Sequence, residues 1–475
     1  MKVPSVIPDW HEFKPTSAAF VLLFLYVVIV TSILTDVGGG PNDGPLSNET
    51  VEETWHKIGM NMSVDHDVDA CQDFAGHACG RYFDVYPISS FNSANQMELL
   101  SIKKSTDYES CIRFTDWTTV VDFYNRTAGL STNEIVKAGL TVNGLVVRVY
   151  PWKGDERYRA HLLFEDDDFN DNRPGRLTRC ECLEFDTVVY NDSACNVVCN
   201  ATNVTLPEDF PANCNDALIQ FRFRATSRMF NETECSFVRQ RSERLIQAAM
   251  QIIEESDVDG SNNVDFLQQP LVNVCGGVGM TNDIEWSDHI EQMWIARRSD
   301  EFNLIGDLID RGAWPMSGHV VNAVYVEEQD SIFVMGSLLR PPFFNSAWSE
   351  ELLLGGLDFI IAHELGHAID SRLNDSAFGN SIIDRIGKKL GRNSTNISVT
   401  VHEDMADTYG MQILERVASP TLTTFYQFAQ IFCSKLTDFS GDVHAPGAWR
   451  VNQTVLSSPT WRRLICNGST PNRRQ

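Results

Sequence analysis

His363-Glu364-Leu365-Gly366-His367 places two imidazoles four residues apart, with a carboxylate beside the first of them. A helix turns about 100° per residue, so residues i and i+4 lie above one another on the same face. Two such imidazoles can bind one zinc ion, and the carboxylate of Glu364 can take a proton from water at the metal. The preceding segment, 357–362, is apolar apart from Asp358 and contains no proline. The pattern therefore predicts a zinc hydrolase site on a buried helix.

Two histidines leave zinc one protein ligand short, because a catalytic site uses three protein ligands and keeps a fourth position for water. The best candidate is Glu403, 36 residues after the second histidine, in another helical segment. Asp407 follows one turn later on the same face, as a catalytic or supporting carboxylate. Asp370 lies on the ligand face of the first helix, where it would hold the other nitrogen of a zinc histidine. Thr400 and Glu403 also have capping-box spacing, which is the alternative role for Glu403.

The composition describes a folded, acidic protein. At 475 residues, with 43% hydrophobic and 21% charged residues, the chain is long enough for two or three domains with apolar cores. The net charge of −26 and the absence of a basic stripe argue against a nucleic-acid partner.

An uncharged apolar run of 18 residues, 18–35, is long enough to cross a bilayer as a helix. Lys2 and Lys14 precede it, and the next basic residue is Lys57, which places the N-terminus in the cytoplasm. We therefore expect a cytoplasmic tail, 1–17, and a signal-anchor of a single-pass type II protein at the plasma membrane. The alternative is a cleaved signal peptide and a secreted protein.

Cysteines and glycosylation acceptors agree with an extracellular catalytic region. The twelve cysteines suit an oxidising compartment. Twelve Asn-X-Ser/Thr sequons all lie beyond the apolar run. They begin at Asn48, Asn61, Asn125, Asn191, Asn200, Asn203, Asn231, Asn374, Asn393, Asn396, Asn452 and Asn467.

Beyond the anchor we expect three regions: a stalk at 36–70, an outer lobe with a cysteine-rich insert at 71–286, and a catalytic domain at 287–475. The stalk begins with a segment rich in Gly, Pro, Asn and acidic residues. Six cysteines of the insert allow 15 pairings, so their connectivity stays open. They are Cys180, Cys182, Cys195, Cys199, Cys214 and Cys235.

Periodicity predicts mainly helices with a small β part. Apolar residues recur at helical spacing in 234–255 and 287–310, with Ser287 as a plausible N-cap. The β-rich segment 320–333 predicts a hairpin with its turn near 327–329. A further helix is expected from about Thr400 to a point before Pro420.

The sequence HELGHAID (363–370) followed by EDMAD (403–407) resembles the zinc-site pair of the neprilysin and endothelin-converting-enzyme family, which are membrane-anchored zinc metallopeptidases. The resemblance is strong over 287–466 and local at 71–111. Other segments that resemble the family follow in the same order: 71–80, 108–111, 321–325, 338–344, 428–433 and 444–450. The resemblance implies a thermolysin-like zincin catalytic domain beside a helical outer lobe that is cross-linked by disulfides. That lobe is reduced here, because the chain between Cys79 and Asn322 is short for the family.

The resemblance also implies roles by position. His363, His367 and Glu403 would bind zinc, and Glu364 would activate water. Asn322 and Ala323 would bind the peptide backbone. His444 would stabilise the oxyanion, and Arg450 would donate a hydrogen bond to a substrate carbonyl. The implied disulfides are Cys71–Cys466, Cys79–Cys433 and Cys111–Cys275. Taken alone, His444 and Arg450 would more simply stabilise a surface loop, and the family pattern reverses that preference.

The hypothesis is a glycosylated zinc endopeptidase that binds one Zn²⁺ per chain and cleaves oligopeptides at the cell surface. The alternative is a binding ectodomain that keeps the zinc site without turnover, motivated by the reduced lobe. The sequence does not determine the oligomeric state. Gly366, Ala368 and Thr408 depart from the residues usual in the family. A glycine inside a helix costs about 1 kcal/mol relative to alanine, which is tolerable beside metal binding.

Overall fold

The computed structural model describes residues 50–103, 131–151, 156–164, 176–178, 188–190, 204–205, 210, 232–256, 269–276, 290–373, 394–435 and 444–466. The predicted tail and membrane anchor lie outside this set. Within it, Glu350–Leu373 is the one helical stretch long and apolar enough to span a bilayer. Because 94% of its apolar window is buried inside the protein, this stretch is a core helix.

The helices of the described regions are α1 (Val51–Ser63), α2 (Phe74–Cys79), α3 (Tyr82–Val85), α4 (Ser90–Lys103), α5 (Thr132–Lys137), α6 (Glu232–Ser256), α7 (Ile290–Asn303), α8 (Glu350–Leu353), α9 (Phe359–Leu373), α10 (Ser394–Val417), α11 (Leu422–Phe432), α12 (Gly447–Ser457) and α13 (Pro459–Trp461). The strands are β1 (Thr141–Val142), β2 (Leu145–Pro151), β3 (Tyr158–Phe164), β4 (Arg176–Thr178), β5 (Val188–Tyr190), β6 (Val204–Thr205), β7 (Leu271–Val274), β8 (Ala323–Val326) and β9 (Ser331–Val334). The mainly helical prediction is confirmed for this part of the chain.

Helix α9 carries the two histidines through the middle of the core. It packs against α6 and α10, and its side chains Phe359, Ile361, Leu365 and Ile369 are fully buried. A π-helical segment, Leu354–Asp358, leads into it and contains a kink at Gly356. At the start of α9, Arg241 of α6 forms a buried ion pair with Asp358, which neutralises the one charge in this apolar segment.

Helices α9 and α10 approach each other closely because glycines face the neighbouring backbone. A Cβ atom on Gly366 would lie 2.5 Å from the carbonyl oxygen of Ala406. A Cβ atom on Gly410 would lie 3.1 Å from the backbone nitrogen of His363. Any larger side chain would therefore push the two helices apart. This contact explains why glycine stands at position 366.

A three-stranded sheet in the order β7-β9-β8 lies beside α9, with β7 parallel and β8 antiparallel to β9. The predicted hairpin is confirmed: β8 and β9 are joined by the 3₁₀ turn Glu327–Gln329. Strands β7 and β8 are the edges of this described sheet, and β8 is the edge beside α9. Its ladder continues at Asn322, whose carbonyl accepts a bond from the Met335 N–H at 3.3 Å. In an antiparallel pair, successive residues point their backbone N–H and C=O groups alternately toward and away from the partner strand, so those of Ala323 and Tyr325 point away from β9.

A six-stranded sheet in the order β4-β5-β3-β2-β1-β6 lies in the region predicted as a helical outer lobe. The helical description is therefore wrong for this part of the lobe. Strands β1 and β2 are joined by Asn143 and Gly144, both with positive φ, of 51° and 80°. Asn-Gly is the preferred two-residue hairpin turn, and 145–149 is rich in valine, so the sequence carried a signal for this hairpin.

The disulfides Cys71–Cys466 and Cys79–Cys433 are present as implied and tie the N-terminal helices to the C-terminal ones. The implied Cys111–Cys275 bond is wrong, because Cys275 pairs with Cys235. Cys235 lies in the first turn of α6 and Cys275 directly follows β7, which packs against that helix. Cys111 and the other insert cysteines lie outside the described residues.

Several predicted boundaries differ from the structure. Helix α6 matches its prediction within two residues, while α7 is described only from Ile290, beyond the proposed N-cap. Helix α10 begins at Ser394, so Thr400 is an interior residue and the capping-box role of Glu403 is wrong. Helix α1 lies within the segment predicted as a stalk, and Glu53, Met60 and Ser63 on it are buried.

Candidate metal centre and active site

Three side chains converge where α9 crosses α10. His363 and His367 come from α9 and Glu403 from α10, and their candidate ligand atoms all lie within 4.8 Å of one another. The distances are 3.2 Å between the two Nε2 atoms, and 3.1 Å and 3.4 Å from Glu403 Oε2 to Nε2 of His363 and His367. The sequence-predicted ligand set is thus brought together.

These distances fit a zinc ion. Ligand atoms about 2.0–2.1 Å from a tetrahedral zinc lie about 3.3–3.4 Å from each other. The three observed separations are close to that edge length. Moreover, Oε2 of Glu403 is buried and makes no hydrogen bond of acceptable geometry to the described residues. A buried carboxylate oxygen that lacks a well-formed hydrogen bond is costly, and a cation held by the three ligands would compensate its charge.

Asp407 and Arg450 orient the first histidine. Asp407 Oδ1 lies 2.9 Å from Nδ1 of His363, which leaves Nε2 to face the cluster. Arg450 donates to both oxygens of the same carboxylate, from Nε at 2.9 Å and from Nη2 at 2.7 Å. Burial raises the pKa of Asp407, but the charge and hydrogen bonds of Arg450 outweigh it and lower that pKa to about 2. Asp407 is therefore an ionised, fully buried acceptor.

The cluster has an excess of negative charge. Burial disfavours protonation of His363, yet the adjacent carboxylates of Asp407 and Glu403 raise its pKa to about 9. The pKa of Glu403 is lowered, because the facing histidines outweigh its own burial. Without a metal, a proton on His363 balances the carboxylates. A divalent cation would replace that proton.

Glu364 lies between the zinc helix and the edge strand. It is 7% exposed, and its Oε2 accepts a hydrogen bond of 2.8 Å from the backbone N–H of Tyr325. The sequence pattern predicts the carboxylate but gives no sign of this donor, because a backbone contact depends on how β8 lies along α9.

Asn322 and Ala323 lie at the beginning of the edge strand. Asn322 is exposed and its carbonyl is used within the sheet, so only its side chain is available to a ligand. Ala323 is buried, and its backbone N–H and C=O point away from β9. The two residues thus offer different groups: an exposed side-chain amide, and a backbone N–H and C=O on the side of β8 away from β9.

His444 lies on the other side of Glu403. Its Nε2 is 3.3 Å from Glu403 Oε2, and its side chain is 44% exposed. It precedes α12, the helix that carries Arg450. An exposed imidazole next to the buried ligand cluster is placed to meet a molecule that enters from solvent.

Asp370 does not contact either zinc histidine among the described residues. Its Oδ2 instead lies 2.7 Å from Nδ1 of His402, an exposed residue on α10. Asp370 is on the expected helix face, but it is one turn beyond His367, where α10 presents His402. The predicted supporting role toward a zinc histidine is wrong for Asp370.

Comparison with known proteins agrees with this geometry. The family model described as Peptidase family M13 matches residues 322–384, which include β8, β9 and the zinc helix. Over this segment the chain is similar to the M13 family. Relatives that match include neutral endopeptidase of Lactococcus lactis, 26% identical over 197 residues, and human neprilysin, 24% identical over 225 residues. These alignments cover 34% and 37% of this chain and 30% of each relative, so the match spans less than a third of their length.

The similarity of fold extends further than the similarity of sequence. The crystal structure of the zinc metalloprotease Zmp1 from Mycobacterium tuberculosis, in complex with an inhibitor, superposes with a TM-score of 0.62 at 14% identity. It covers 86% of this chain and 96% of Zmp1. At this identity the comparison describes the fold, and the site assignment rests on the residues themselves.

Proposed function

We propose that this chain is a zinc-dependent endopeptidase that cleaves oligopeptides. The observation that carries the proposal is the spacing of His363 Nε2, His367 Nε2 and Glu403 Oε2, which matches the edges of a tetrahedron around one zinc ion. Glu364, next in sequence to the first ligand, and an open strand edge at Ala323 lie beside this cluster. The family match at 322–384 covers the two histidines, Glu364 and the strand edge.

One zinc ion fits the site, and when bound it would polarise a carbonyl group and lower the pKa of water. The side chains supply the remaining chemistry. Glu364, held by the Tyr325 N–H, accepts a proton from water and passes it to the departing amine. His444 donates a hydrogen bond to the oxyanion that develops on the carbonyl oxygen. Asp407 keeps His363 in the tautomer that presents Nε2.

Peptide substrates would bind along β8 as an added strand. The outward N–H and C=O of Ala323 pair with one residue of an extended peptide, and the Asn322 side chain contacts the next peptide group. Such pairing recognises a peptide backbone whatever its side chains. Arg450 donates to a substrate carbonyl while it holds Asp407.

We further propose the topology and domains that the sequence suggests. Residues 1–17 form a cytoplasmic tail, 18–35 a membrane signal-anchor and 36–49 a stalk, whereas α1, also predicted as stalk, belongs to the folded part because Met60 lies in its core. Residues 71–286 form a reduced outer lobe and 287–475 a thermolysin-like catalytic domain outside the cell. Human neprilysin is much longer than this chain, since 225 matched residues are 30% of its length. The secreted alternative differs only in cleavage after the apolar run, and membrane fractionation distinguishes the two.

The test is a Glu364→Gln variant of the full chain, incubated with a quenched peptide library. Wild type should show hydrolysis that a zinc chelator abolishes, and the variant should lose at least about a thousandfold in kcat while it binds one zinc. Glu351→Gln, which changes a glutamate of α8 away from the cluster, is the matched control. Wild type that binds zinc without any turnover would support the silent ectodomain instead. Full activity in Glu364→Gln would refute the mechanism.

A further inference from the structure

The last turn of the zinc helix contacts the hairpin turn that follows the substrate strand. Arg372 Nη2 forms an ion pair with Asp330 Oδ1, and Ser371 donates a hydrogen bond to Glu327. Asp330 also accepts from Arg311 Nη2 at 3.2 Å and from the Tyr325 hydroxyl at 3.2 Å. Asp330 is therefore the point where the zinc helix, the edge strand and the loop before it meet.

A second contact joins the same two elements at the site itself. The Tyr325 N–H donates to Glu364, which lies seven and eight residues before Ser371 and Arg372. Seven residues are about two turns of helix, about 10 Å, and return to nearly the same face. The hairpin thus lies along one face of α9 and contacts it at two places, through the Tyr325 N–H at Glu364 and through an ion pair and a hydrogen bond at the turn.

Strand β8 needs such an attachment because, among the described strands, it has one neighbour in the sheet, β9. Its turn also contains Asp330 in the left-handed region, with φ of 45°. A non-glycine residue there costs on the order of 1 kcal/mol and persists where surrounding contacts hold it. Asp330 has contacts to Arg311, Arg372 and Tyr325, which supply that constraint.

We propose that Asp330 and Arg372 are positioning residues that hold the substrate strand and Glu364 in register, a role that rests on the proposed peptidase function. Through the turn they fix β8 along the zinc helix, so that the Tyr325 N–H stays on Glu364 and the open edge at Ala323 stays at a set distance from the zinc ligands. Neither residue is a zinc ligand. A displacement of about 1 Å at a reacting group can cost about a hundredfold in rate.

The experiment compares Arg372→Gln, Arg372→Lys and Tyr325→Phe in the full, zinc-loaded chain. Arg372→Gln removes the charge at the turn and should lower kcat 10- to 100-fold, with zinc stoichiometry unchanged. Arg372→Lys keeps the charge and should recover at least half of the loss on a logarithmic scale. Tyr325→Phe removes only the hydroxyl that reaches Asp330 and should lower kcat two- to fivefold; it keeps the test decisive if Arg372→Gln fails to fold.

The matched control is Arg416→Ala, which removes an arginine from the last turn of α10 that is paired with the exposed Glu255. It should leave kcat unchanged. Two inhibitors provide a readout that a merely structural role would not move. Acetohydroxamate needs only the metal and should bind all variants equally, whereas a peptidyl hydroxamate also needs the strand edge and should bind Arg372→Gln at least tenfold more weakly.

Equal weakening of both inhibitors, or an unchanged kcat in Arg372→Gln, would overturn the positioning role. Failure of the proposed function gives a different result, because then wild type itself shows no chelator-sensitive turnover. The two failures are thus separated by the behaviour of wild type.

Discussion

Gly366→Ala tests whether the spacing of two helices sets the geometry of the metal centre. The added methyl carbon would lie 2.5 Å from the carbonyl oxygen of Ala406 and 2.8 Å from its Cα. Ordinary contact begins near 3.4 Å, so the helices would have to separate by up to about 0.9 Å. Both obstacles are backbone atoms, which cannot turn aside as a flexible side chain can.

Glu403 lies three residues before Ala406 on α10, so a shift of α10 moves this ligand away from the two histidines on α9. Metal–ligand distances vary by only about 0.2 Å in working sites, so a shift of several tenths of an ångström exceeds the tolerance. We expect zinc affinity to fall 10- to 100-fold, which is the usual effect of removing a residue that hydrogen-bonds to a metal ligand. Overpacking costs about 1–3 kcal/mol, and the better helix propensity of alanine returns about 1 kcal/mol. The metal-free protein should therefore lose at most about 2 kcal/mol of stability.

The assay is competition for zinc between the full chain and a chromogenic chelator, together with thermal unfolding of the metal-free protein. Gly410→Ala is a graded comparison, because its methyl group would meet the His363 backbone at a milder 3.1 Å. Zinc affinity should fall in the order wild type, Gly410→Ala, Gly366→Ala. Wild-type affinity and stability in Gly366→Ala would show that the helices adjust without cost, and the reasoning would be refuted.

Three further predictions follow from individual side chains. Asp407→Asn should reduce zinc affinity 10- to 100-fold. It also leaves Arg450 without its buried anion, so the free energy of unfolding measured by chemical denaturation should fall by about 3–5 kcal/mol. The pKa of His363 is raised to about 9, so its proton stabilises the metal-free fold fully below pH 6.5, and this stabilisation is lost as the pH rises through 9. Zinc must displace the same proton, so zinc titrations should show an affinity that rises about tenfold per pH unit up to pH 9 and then levels. Asn452 should carry no glycan in glycopeptide mass spectra, since its amide contacts Asp73 and the Ala75 N–H; a glycan there would contradict the packing of α12.

The sequence predicted the metal ligands because their spacing is local. Two histidines four residues apart share a helix face whatever the fold, and Glu403 follows from its own helical pattern and from the family resemblance. Asp370 was misassigned for a related reason: helical phase gives its face correctly but does not show which residue of α10 lies opposite. The Cys235–Cys275 bond and the six-stranded sheet depend on how distant segments pack. Only the Asn143-Gly144 turn offered a local signal for that sheet.

Contacts made by backbone atoms were the least predictable part of the site. The Tyr325 N–H on Glu364 and the close approach of Gly366 to Ala406 involve groups that every residue has, so no residue type marks them. Glycine at 366 first looked like a departure from the family that cost helix stability. In the structure it permits the short distance between α9 and α10 on which the ligand spacing depends, so the same residue is a local cost and a structural requirement.

Arg450 shows how one residue can hold two roles that seemed to compete. The resemblance implies that it binds a substrate carbonyl, whereas the structure places it on Asp407 through Nε and Nη2. Neither contact uses Nη1, and the side chain retains 12% exposure. A guanidinium is a rigid planar fork, so anchoring one edge on Asp407 fixes the direction of the remaining N–H groups. The ion pair therefore makes Arg450 a better-oriented donor for a carbonyl. It also keeps Asp407, the residue that orients His363, in its ionised form. A lysine at this position could provide the charge, but it could not donate to Asp407 and to a substrate carbonyl in two fixed directions at once.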